Sequence, residues 1–144
     1  MVKVTTLSEK DIEAIGTAFA DYSYADGEKG MALFYKNRND VKEYICGYVR
    51  AMLAAGCLYS TSEKHEAFIA YRYSKENLPL SAGMILMKYI FRTMGFGGAV
   101  RMLKFIAGGG ESYETAVKKS KKPYIFVGLV AVKKEYQGQG YMRK

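Results

Sequence analysis

Residues 124–132, Tyr-Ile-Phe-Val-Gly-Leu-Val-Ala-Val, form a nearly unbroken apolar run between Pro123 and Lys133. A run of this kind reads as a strand buried on both faces. Gly128 inside it predicts a bulge or a close backbone approach. Such a strand constrains the rest of the chain, which must supply both the sheet beside it and the helices over it.

The preceding residues carry that material. Residues 2–7 alternate and are rich in β-branched side chains, as a first strand requires. Thr6 with Glu9, and Ser8 with Asp11, are spaced to cap a helix start. The helix predicted over 8–24 carries Ile12, Ile15, Phe19 and Tyr22 on one face. Residues 26–39 are polar and read as a loop. From Asp40, the residues Val41, Tyr44, Ile45, Tyr48, Val49, Met52 and Leu53 make one stripe, with Gly56 placed to end the helix. Residues 57–61 and 67–73 read as a hairpin around the polar turn 62–66. Residues 80–107 predict one or two helices broken near Gly95 to Gly98, and 112–119 a shorter one. The whole predicts a single domain of the α/β class, α+β type.

A chain of 144 residues with 49% hydrophobic and 25% charged side chains can bury a core and is not disordered in composition. Its net charge of +8 attracts phosphates, nucleic acid, acidic lipid or a polyanionic cofactor without choosing among them. The 13 tyrosines and 7 phenylalanines fall at helical and strand spacings that favour a core over a nucleic-acid surface, so nucleic acid is not expected. Cys46 and Cys57 form no CxxC pair, and His65 has no ligand set around it, so neither metal nor disulfide is expected. With no secretory pattern in the first residues, the location predicted is cytoplasmic. Lys88, Arg92, Arg101 and Lys104 interrupt the apolar stretch 80–106, so no membrane span is expected; that stretch reads as an added core helix pair, a lid or an interaction surface.

The chemistry lies after the apolar run. A strand, a short turn and closely spaced glycines gather free backbone amides around one point, a nest for a phosphate. Gly138 and Gly140 allow both the turn and a close approach. Neither the Walker pattern nor GxGxxG is present. The segment Gln137-Gly138-Gln139-Gly140-Tyr141-Met142 resembles the Gln/Arg-x-x-Gly-x-Gly/Ala loop of the GNAT superfamily of N-acetyltransferases, with Met142 departing at the last position. The element order from Val2 onward is also similar to that family's, which implies a mixed, mostly antiparallel sheet flanked by helices, with residues 80–119 a helical insertion before the fourth strand.

The resemblance implies acetyl-CoA as co-substrate and an amine as acceptor. It implies that the backbone of Val130, Ala131 and Val132 pairs with the pantetheine arm, and that Gln137, Gly138, Gln139, Gly140, Tyr141, Met142 and Arg143 hold the pyrophosphate. A main-chain amide near Leu129 or Val130 would serve the developing oxyanion. Residues 124–132 contain no carboxylate to act as base; Glu28, Glu63 and Glu66 are candidates by proximity, though each reads better as a surface charge, and no catalytic residue is assigned. The family's fifth strand would follow Lys144, so the chain is expected to be an N-terminal part, inactive alone, whose exposed fourth strand could pair with a second copy. The alternative is a non-catalytic module that binds coenzyme A or, through its basic surface, other anions.

Overall fold

A computed structural model describes residues 1–22, 34–108 and 113–141. Its elements run β1 (Val2–Lys3), α1 (Glu9–Ala20), α2 (Arg38–Ala54), β2 (Leu58–Ser60), β3 (Ala67–Tyr73), α3 (Leu80–Gly108), α4 (Tyr113–Lys119) and β4 (Ile125–Val132), closing with a 3₁₀ turn, Lys134–Tyr136. The protein is therefore α+β. Its four strands form one sheet in the order β1-β2-β3-β4, and every described pairing is antiparallel.

The first two helices start where a side chain satisfies a free amide. Ser8 Oγ accepts from the Asp11 amide at 3.1 Å before α1, and Asn37 Oδ1 accepts from the Asp40 amide at 3.0 Å before α2. Past the end of α2, Gly56 takes φ 66°, a left-handed conformation that a glycine enters without strain. The break expected near Gly95 to Gly98 is a kink at the first of these, Gly95, with φ 65° and ψ 176°, within α3. The first strand is shorter than residues 2–7, because only Val2 and Lys3 pair, opposite Ser60 and Tyr59.

One face of the sheet and the inner faces of the helices make the core. Leu58, Ser60, Phe68, Ala70, Leu129 and Ala131 are buried on that face, against Ile12, Ile15, Val41, Ile45, Val49 and Met52 of α1 and α2. The helices approach closely at two glycines. A Cβ on Gly16 would lie 2.6 Å from Cys46 Sγ, and one on Gly47 would enter the Tyr89 ring.

The fourth strand departs from the expectation of burial on both faces. Leu129 and Ala131 are buried, whereas Ile125, Val127 and Val130 are exposed. The cause is its position: among the described residues β4 pairs only with β3, and the helices pack on the side that carries Leu129 and Ala131. Tyr59, Tyr71 and Tyr73 share the second face with Val127 and Ile125, the first two stacked with centroids 4.5 Å apart. The irregularity foreseen at Gly128 is real. The register shifts between Ala70 and Tyr71, whose partners are Leu129 and Val127, leaving Gly128 as the extra residue of a bulge.

Candidate functional site

The end of β4 is held by a lysine rather than by a simple turn. Lys133 is buried, places its ammonium 2.6 Å from Asp11 on α1 and lies over the Phe68 ring at 5.8 Å. Its amide donates to the Glu66 carbonyl at 3.0 Å. Burial opposes the Asp11 charge, but hydrogen bonds from Lys133 and Ser8, with the lysine's own charge, hold its carboxyl below the ordinary range. These contacts fix where the strand stops and where the following loop begins.

In that loop Gln137 is extended, and its side-chain amide donates to the Val132 carbonyl at 3.1 Å. Gln139 likewise donates to the Glu135 carbonyl at 3.0 Å. Both side chains thus tie the loop back to the end of β4 and to the 3₁₀ turn. Gly138 and Gly140 take φ 77° and 76°, and nothing lies within 4 Å of where their Cβ atoms would be. Among the described residues, the amides of Gly138, Gln139 and Gly140 have no protein acceptor. Tyr141 sets its ring edge-on to Tyr136, 5.7 Å away. Met142 and Arg143 lie outside the described residues.

Beside the loop is a cleft of about 360 Å³, lined by Ala18, Phe19 and Tyr22 from the end of α1 and by Val130, Ala131, Val132 and Gln137. Four residues singled out from the sequence therefore share one wall. The opposite wall was missed as a site: Phe19 of α1 and Tyr22, just past its end, continue the apolar stripe read from the sequence, and their signal is that the stripe runs on past Ile12 and Ile15, its last strongly buried members. A more polar space of about 440 Å³ adjoins this cleft, sharing Ala18, Tyr22 and Gln137 and adding Asp21 and Lys134.

Among the described residues, none that lines the apolar cleft is a carboxylate. Asp21, at its mouth, is paired with Arg38, whose hydrogen bond holds the carboxyl below its usual range and makes it a weak base. Glu66 accepts from Ser62 Oγ at 2.6 Å and Thr61 Oγ1 at 3.1 Å; the Ser62 bond leads in lowering its pKa, so it stabilises the hairpin turn. Glu63 is exposed, and Glu28 lies outside the described residues. At the Gly128 bulge, the Tyr48 hydroxyl from α2 occupies the space a Cβ would need. Burial, then Tyr44, pushes its pKa up to about 12, so it stays a neutral donor.

Cys46 and Cys57 are both free thiols, raised in pKa chiefly by burial. Among the described residues no cluster of three His, Cys, Asp or Glu side chains could hold a metal ion, and no helix is long and apolar enough to cross a membrane. No family model matches the chain, and neither a curated protein nor a solved structure matches it.

Proposed function

We propose that this chain binds acetyl-CoA between α1 and the free edge of β4 and belongs to an N-acetyltransferase. The observation that carries the reading is the cleft itself: Val130, Ala131 and Val132 meet Gln137 there, beside three amides that have no acceptor among the described residues. An edge strand can pair through its backbone with an amide-bearing arm. The glycines at 138 and 140 leave room for a pyrophosphate to reach the loop amides, and Lys134 adds positive charge at the mouth. Bound there, the cofactor would supply an activated acyl thioester. The protein's part is to orient that arm, shield it with Phe19 and Ala18, and offer backbone donors to negative charge.

Calorimetric titration of the chain with acetyl-CoA and with pantetheine tests this. Acetyl-CoA is expected to bind and pantetheine, which has no pyrophosphate, to bind at least tenfold more weakly. Gly138→Val with Gly140→Val should weaken acetyl-CoA at least tenfold, because a β-branched residue resists positive φ. Absence of acetyl-CoA binding, or equal binding of the two compounds, would sink the reading.

A further inference from the structure

Helix α3 is apolar on two faces, and the described protein packs only one of them. Inward, Ala82 and Ile90 are buried, and Leu86 and Met94 pack against the core. Outward, Leu80, Met84, Met87 and Phe91 recur at spacings of four, three and four residues, which keeps them within one narrow arc of the helix. Their exposures are 81%, 64%, 47% and 43%, so they form a continuous ridge in water. The kink at Gly95 extends it: Phe96, 75% exposed, lays its ring nearly parallel to that of Phe91 at 6.2 Å. Five large apolar side chains in one row are more than scattered surface residues.

The charge on this element identifies what can cover the ridge. Residues 80–108 contain Lys88, Arg92, Arg101 and Lys104 and no Asp or Glu. Arg92 turns back to Glu43 of α2 at 2.8 Å, while Lys88, Arg101 and Lys104 are exposed. Two copies meeting ridge to ridge would face basic helix against basic helix in a chain of net charge +8. An anionic bilayer surface answers both features, taking the ridge at its acyl boundary and the lysines and arginine among its headgroups. No described helix is long and apolar enough to span, so the geometry is that of a helix lying flat.

We propose that the outer face of α3 docks this protein on an anionic lipid surface, independently of any ligand in the α1–β4 cleft. The test is co-sedimentation with vesicles of phosphatidylcholine alone and of phosphatidylcholine mixed with phosphatidylserine. Binding is expected to the mixed vesicles, at least tenfold above the neutral ones, and to weaken with added salt. Met84→Glu with Phe91→Glu should lower it at least tenfold without altering the thermal midpoint, since both side chains are exposed. Lys10→Glu, on exposed α1 surface, makes the same change in net charge away from the ridge and should lower it far less. The chain has no tryptophan, so Met87→Trp supplies a single emitter that should shift to the blue on the mixed vesicles. Equal binding to both vesicles, no binding, or a loss with Lys10→Glu matching that of the double variant would overturn the proposal. A Met87→Trp emission that stays unshifted on bound vesicles would do the same.

Discussion

Gly128 joins the bulge of β4 to the packing of α2. A Cβ there would collide with Tyr48 Oη, and even without that oxygen it would lie 3.0 Å from Tyr48 Cζ and 3.2 Å from the Phe126 ring. Gly128→Ala is therefore expected to destabilise the protein by about 1–3 kcal/mol, the range for overpacking a filled site. Adding Tyr48→Phe removes the nearest obstacle but not the next two, so the double variant should recover part of the loss. Chemical denaturation of the four proteins of this cycle gives the coupling directly. Strict additivity would mean that Tyr48 is not what excludes a side chain from the bulge. The glycines at 138 and 140 are different in kind: open space surrounds them, and only their positive φ demands glycine.

At the scale of elements, the same substitution should change sign with its surroundings. Replacing glycine by alanine within a helix is worth roughly 1 kcal/mol in propensity. At Gly83 of α3 nothing lies within 4 Å of the new Cβ, so Gly83→Ala should raise stability by about 0.5–1 kcal/mol. At Gly47 of α2 the Cβ would enter the Tyr89 ring of α3, and overpacking outweighs propensity, leaving a net loss of about 1–2 kcal/mol. Thermal midpoints moving in the same direction for both would refute the close α2–α3 contact. These cases also mark what could be read before the fold was known. The stripe of α2 from Val41 to Met52 and the break at Gly95 were legible because helical period and glycine act locally. The role of Gly47 was not, since its reason is a ring 42 positions away in the sequence. The exposure of Ile125, Val127 and Val130 was hidden for a related cause: apolarity marks which residues avoid water, not which sheet face has a helix over it. For the candidate site, sequence indicated the β4 wall and the loop, while the α1 wall depends on where the stripe through Phe19 outlasts the strands beneath it.

Across the whole molecule, one ion pair ties the first turn of α1 to the end of β4, and its titration should be visible in global stability. Asp11, Asp21 and Glu66 all have carboxyl pKa values lowered from their ordinary 3.8, 3.8 and 4.5. A group lowered on folding stabilises fully above its unfolded pKa, and that contribution is lost as pH falls through the folded value. Each proton bound also adds to a chain already at +8, so repulsion grows as the pairs are lost. Stability with respect to these groups should be flat above about pH 5 and decline steadily below about pH 4. Asp11 differs from the other two because its partner Lys133 is buried between it and the Phe68 ring. Asp11→Asn would leave that ammonium without its counter-charge, at a cost of about 2 kcal/mol near neutrality. The same variant no longer has this carboxylate to protonate, so its acid limb should be shallower and should approach the parent's as pH falls. Urea unfolding at a series of pH values distinguishes the outcomes: converging curves place the pair in the global transition, whereas parallel curves would show that Asp11 acts only as a neutral hydrogen-bonding group at the start of α1.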